Sequence, residues 1–253
     1  MAIRFDNSLD RIVHTSGLFD YSAAYSILLK AYFIDVSSQV DFLCLSTNDG
    51  SAQPGDILYF LGNGAITLWC ATNSANTSAA GSITPSANTW YDLAMVRESA
   101  TSCKLYIDGV LEATNTRDIT GRSAQTRFEI GAFTTNNSVP MNGRVSDILV
   151  FTRAFTLAEV KGQRFSKKPL DPTSLWAWYP TFPGTTERLR DYGASQRNWT
   201  EAGTLTDEVS PPVNWGLWTP PRPIFEVVTP TAGHGLALGD NLSNRIFGGF
   251  VVQ

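Results

Sequence analysis

Residues 90–113 constrain the fold of this chain more than any other stretch. Residues 90–97 (WYDLAMVR) are rich in apolar side chains, and in residues 103–107 Cys103, Leu105 and Ile107 alternate with Lys104 and Tyr106. A period of two sends successive side chains to opposite faces, the signature of a half-buried strand. Asp108-Gly109 follows, a pair suited to the two positive φ angles of a type I′ hairpin, and residues 110–113 then return. Two linked antiparallel hairpins are therefore expected here.

The same grammar runs along the rest of the chain. Residues 3–5, 11–13, 25–36, 40–46, 57–61, 65–71, 128–132 and 145–151 read as strands, with Gly62-Asn63-Gly64 as a further hairpin turn. Residues 72–88 consist almost wholly of Asn, Ser, Thr, Ala and Gly and read as a surface loop. One short helix is expected, because Thr156-Leu157-Ala158-Glu159 forms a capping box ahead of Val160. Residues 175–179 (LWAWY) give another strand, and residues 197–205 are a further candidate. Many short strands with one short helix predict an all-β fold, a two-sheet antiparallel jelly-roll sandwich. The expected division is a body at 1–210 and an extended Pro-rich C-terminal arm at 211–253. Six prolines between 211 and 230 favour extended conformations there, while Trp215, Trp218, Ile224, Phe225, Ile246, Phe247 and Phe250 supply anchors for docking on a partner surface.

Composition removes several function classes. The net charge is −4 and no Lys/Arg cluster is dense enough to follow phosphates, which argues against nucleic-acid binding. No apolar run reaches the length of a membrane-spanning helix. The three cysteines, Cys44, Cys70 and Cys103, are widely spaced inside apolar runs and read as small buried hydrophobes. Met1 leads directly into a strand-like segment without an apolar leader, so synthesis in the cytoplasm is expected. The glutamates at 98, 112, 129, 159, 187, 201, 208 and 226 stand singly, each read as a strand edge, a cap or a solvated loop; Asp147 reads as a structural acceptor. With no Glu-x-Asp-x-x-Glu run and no nucleophile elbow, a non-enzyme is expected.

Five pieces, in order, resemble the laminin G-like and pentraxin-like branch of the concanavalin A-like lectins and glucanases. They are Ala2-Ile3-Arg4-Phe5-Asp6 with Asp10, residues 90–97, Lys104 to Gly109, Phe128-Glu129-Ile130-Gly131, and Asn142 to Asp147 with Arg153 to Thr156 and Glu159. The resemblance covers roughly residues 1–165, with 170–205 completing the sandwich, and implies a concanavalin A-like jelly roll. Laminin G-like chains with a Pro-rich tail also look like tailed-bacteriophage products. The leading expectation is thus a capsid decoration subunit on the virion surface, with the major capsid protein and further copies of itself as partners. The alternative is a host-glycan-binding module, and a glycoside hydrolase ranks third.

Site expectations follow the same order. Polar ligands would meet Asn73 and Asn76 in the first Asn-rich loop and Asn136 and Asn137 in the second. An aromatic platform for a sugar could come from Trp69, Trp176, Trp178, Trp199 or Trp215, although a strand tryptophan is more often core. No cofactor is expected. Calcium is the one metal the resemblance suggests, with Asp41, Asp49 and Asp118 as candidate ligands; turn chemistry is the favoured explanation of these acids.

Overall fold

A computed structural model of the chain describes residues 1–6, 10–16, 18–47, 55–132 and 140–209. The expected arm and its seven anchors, the Asn136–Asn137 loop and Asp49 lie outside these residues.

The strands are β1 (Ala2–Phe5), β2 (Arg11–His14), β3 (Tyr25–Phe33), β4 (Val40–Ser46), β5 (Gly55–Phe60), β6 (Thr67–Ala71), β7 (Asn76–Ala80), β8 (Thr89–Ser99), β9 (Ser102–Ile107), β10 (Val110–Asn115), β11 (Arg127–Ile130), β12 (Gly143–Phe151), β13 (Leu175–Tyr179), β14 (Thr200–Ala202) and β15 (Thr206–Glu208); the helix α1 is Leu157–Gln163. They form two antiparallel sheets. The first runs β10-β9-β8-β3-β12-β1-β15, with β13 also pairing β12, and the second runs β14-β2-β11-β4-β5-β6-β7. The expected sandwich is therefore present.

Local chemistry accounts for the turns. Asp108 and Gly109 have φ of 51° and 75°, as the type I′ hairpin between β9 and β10 demands. Asn63 takes the positive φ in the β5–β6 turn. Thr156 and Glu159 form both halves of the capping box, so two amides at the start of α1 are satisfied without water. Strands β1 and β2, neighbours in sequence, enter different sheets. The connection is held by Asp10, whose Oδ2 accepts from the Asp6 amide at 2.9 Å and whose Oδ1 accepts from the Thr204 amide at 2.8 Å.

The inner faces of the two sheets interdigitate, the usual arrangement of a sandwich. Phe33, Phe42 and Phe60 meet with ring centroids 5.1 to 5.2 Å apart for the contacts Phe33 makes. His14 sits edge-on between Trp176 and Trp199, which places both tryptophans in the core. The three cysteines are buried free thiols, as their apolar surroundings in sequence suggest. Helix α1 covers the outer face of the first sheet, where Phe155 and Val160 pack with Leu28, Ala94, Val96, Tyr106, Leu149 and Phe151.

Two expectations need correction. Residues 72–88 are not wholly loop, because residues 76–80 form β7 against β6 at the edge of the second sheet. Polar residues can join a ladder when the neighbouring strand presents unpaired backbone groups, whatever their own propensity. Glu129 is not at an edge or in solvent: it lies on β11, flanked by β2 and β4, and is fully buried.

Candidate ligand-binding face

The outer face of the second sheet carries a row of side chains aligned by strand register. Thr200 pairs with Val13, Val13 with Glu129, Glu129 with Cys44, Cys44 with Ile57, Ile57 with Trp69, and Trp69 with Ser78. A parallel row beside it runs Asp41, Tyr59, Thr67, Ala80. Alternation along each strand turns Leu58, Phe60, Leu68, Cys70, Phe128 and Ile130 inward to the core, so these two rows face away from it.

Within the rows, Tyr59 and Trp69 pack over Cys44 and Ile57 and stay half-buried, leaving part of each ring open. The Tyr59 hydroxyl lies 3.2 Å from Ser78 Oγ on the edge strand. Asn76 is exposed on β7 two residues from Ser78 and pairs with Ala71. Toward the other side of the sheet, Arg127 donates to Glu129 Oε1 at 2.8 Å, and Arg11 stands 3.7 Å from the same oxygen. Burial pushes the Asp41 carboxyl above its ordinary range, although Gln39 Nε2 donates to it at 3.2 Å. The face thus runs from an aromatic and hydroxyl half at β5–β7 to a charged half at β2 and β11.

The expected site residues scatter. Asn76 reaches this face, on a strand instead of a loop. Asn73 does not offer a free amide: its Nδ2 donates to Ser123 Oγ at 2.9 Å and its Oδ1 accepts from the Ser123 amide at 3.2 Å. Asp118 is exposed and its Oδ1 accepts from the Thr120 amide at 2.9 Å, which holds its carboxyl below the usual range; this is turn chemistry. Asp41 lies in a strand, and among the described residues no three His, Cys, Asp or Glu side chains converge as metal ligands. Trp69 is the expected platform residue that lies on this face, whereas Trp178 packs beside the helix-covered side of the first sheet. Asp147 accepts from Ser146 Oγ at 3.2 Å, and burial raises its carboxyl.

Sequence reasoning missed Tyr59 and the arginines Arg11 and Arg127. Alternation in residues 55–60 could have flagged Tyr59 as facing away from Leu58 and Phe60. It also missed a buried charge cluster between the sheets. Asp56 accepts from Arg97 Nη2 at 2.7 Å, Arg97 Nε at 3.1 Å and the Tyr25 hydroxyl at 2.6 Å, with Arg122 Nη1 at 3.0 Å.

A family model described as the concanavalin A-like lectin/glucanases superfamily matches residues 6–161. No curated protein is significantly similar to the chain. Among solved structures, a candidate carbohydrate binding protein from Bacteroides ovatus superposes with a TM-score of 0.59 at 20% identity; the match covers 83% of this chain and 60% of that one. The native heptameric SAP-like pentraxin from Limulus polyphemus gives a TM-score of 0.56 at 13% identity, over 83% of this chain and 94% of that one. The five sequence pieces, the two-sheet topology and the family match agree: the chain belongs to the concanavalin A-like lectin/glucanases superfamily.

Proposed function

We propose that this chain is a carbohydrate-binding module whose ligand lies across the outer face of the second sheet, over Trp69 and Tyr59. The observation that carries the reading is the register that sets two half-exposed rings beside Ser78 and Asn76. Aromatic faces stack on the C–H faces of a pyranose, while hydroxyl and amide groups pair with its hydroxyls. A fold shared with a candidate carbohydrate binding protein supports saccharides as the ligand class.

Binding without hydrolysis fits the charged half of the face. Glycoside hydrolysis needs one carboxyl to deliver a proton and a second to attack or to activate water. Glu129 is already engaged by Arg127 and faces Arg11, so its buried carboxylate is committed to those two guanidinium groups. The virion decoration role draws no support from the comparisons, and the arm on which it depended lies outside the described residues.

The test is a glycan array followed by calorimetry on the best ligand. Trp69→Ala should weaken binding at least about fivefold, and Tyr59→Ala should do likewise, since truncating such a stacking residue costs about 1–3 kcal/mol. Array silence, or unchanged affinity in both variants, would overturn the proposal. Reducing-sugar release from the bound polysaccharide would show hydrolysis instead of binding alone.

A further inference from the structure

Two of the cysteines lie in one layer of the core, one from each sheet. In the second sheet Asp56, Cys70 and Thr77 sit side by side on β5, β6 and β7. In the first sheet Arg97, Cys103 and Asn115 do the same on β8, β9 and β10. The two rows touch at both ends. At one end Arg97 Nη2 meets Asp56 Oδ1 at 2.7 Å. At the other, Asn115 Nδ2 donates to the Thr77 carbonyl at 2.7 Å and to the Leu68 carbonyl at 3.1 Å. Cys70 and Cys103 are the middle members of these rows, and both are buried in the core between the sheets. Rows joined at each end set their centres opposite each other.

The backbone agrees with this placement. Facing sheets usually lie about 10 Å apart. Here β6 and β9, from different sheets, bring Cα atoms within 8 Å of each other, and the edge strand β10 approaches β6 and β7 in the same way. The sandwich is therefore pinched along this edge, and a disulfide needs Cα atoms only about 4.4–6.8 Å apart. Arg97 Nη2 also donates to Cys70 Sγ at 3.2 Å from its place beside Cys103. Burial, and after it a hydrogen bond with the Cys103 thiol, hold the Cys70 thiol well above its ordinary range. Cys44 takes no part, because it packs on the opposite side of its sheet with Ile57, Tyr59 and Trp69.

We infer that Cys70 and Cys103 are a disulfide-forming pair that fastens the two sheets together along the β6–β7 and β9–β10 edge. The oxidant is a small disulfide of the glutathione class. One cysteine thiolate attacks it, releasing one small thiol and leaving a mixed disulfide on the chain. The second cysteine thiolate then displaces the other small thiol, so the two protein thiols lose two hydrogens and the oxidant gains them. Both sulfurs are enclosed in the finished core, so the exchange takes place before the sheets close, and the closed core then shields the bond from reductants. The bond thus records the redox state in which the chain folded. The pair is separate from the sheet face and does not depend on the proposal made for it.

Refolding tests the pair. The full chain, unfolded in urea and reduced, is refolded in parallel in a glutathione/glutathione disulfide buffer and in dithiothreitol, then alkylated. Chymotryptic peptides are mapped by mass spectrometry, since Phe60 and Trp69 offer cleavage between Cys44 and Cys70. The oxidised arm should yield a cross-linked peptide pair joining Cys70 to Cys103, with Cys44 alkylated. A cross-link between residues 70 and 103 restricts the unfolded chain, so the oxidised product should melt about 10 °C above the product refolded in dithiothreitol. Cys44→Ala should keep both the bond and the melting difference, whereas Cys103→Ala should melt at the same temperature from either buffer. The inference is overturned if the oxidised arm keeps all its thiols free, if Cys44 is found in the bond, or if the bonded form melts no higher than the dithiol.

Discussion

Replacing Asp56 by asparagine should be the most informative single perturbation of the fold. Asp56 is fully buried on β5 and its two oxygens accept from Arg97 twice and from Tyr25, with Arg122 completing the set. Burial by itself would raise its pKa, but the charges of Arg97 and Arg122 and the hydrogen bonds from Arg122 and Tyr25 outweigh it and hold the carboxyl at about 2. Asparagine keeps the shape, removes the charge and turns one acceptor into a donor facing a guanidinium. Two buried cations are then left without a counter-charge, a change that costs about 3–5 kcal/mol. In a domain of this size that is a drop of about 10 °C in melting temperature.

The pH dependence supplies an independent check of sign. A carboxyl with a depressed folded pKa stabilises fully above its unfolded value of 3.8 and loses that contribution as pH falls toward about 2. The size of the lowering corresponds to roughly 2 kcal/mol. Urea unfolding of parent and variant at pH 7 and again near pH 3 should therefore show a gap that narrows in acid. A variant within a degree or two of the parent, or a gap that does not change with pH, would refute the assignment of this cluster as an ion-paired keystone between the sheets. Replacing Asp56, Arg97 and Arg122 together by Leu and Met should recover much of the loss, since a packed apolar substitute can match a buried ion cluster.

Other positions give sharp expectations. Gly131 has φ of +103°, and a Cβ there would lie 2.4 Å from the buried Phe5 ring, so Gly131→Ala should cost about 3 kcal/mol in chemical denaturation. For His14, burial outweighs the Asn198 carbonyl and lowers the pKa below 6.5. The unfolded chain then binds that proton more readily, so stability should decline as pH drops below about 6.5, and His14→Gln should flatten the slope between pH 7 and 5. An unchanged slope in that variant would remove His14 as its source.

How much of this was legible in sequence differs between the fold and the site. Hairpins were readable because they are local: Asp108-Gly109 and Asn63 adopt positive φ for steric reasons that travel with the residues, and Thr156 and Glu159 cap α1 within four residues of each other. Alternation in residues 103–107 likewise told which side of a strand meets the core. The proposed binding face was not readable, since it exists only through register across β5, β6 and β7, which seats Tyr59, Trp69 and Ser78 together although each lies in a different segment. Nor was the fate of the acids. Asp56 looks like an ordinary polar position until the sheets close and bring Arg97 and Arg122 to it, and Glu129 until β2 pairs with β11 and sets Arg11 beside it. Strand β7 shows the same limit from the other side, because its Asn, Thr, Ser and Ala residues become a strand through the ladder that β6 offers. Short-range sterics and periodicity determined most elements of this protein from sequence alone; pairing between remote strands, a tertiary property, added β7 and decided which side chains meet on the surface.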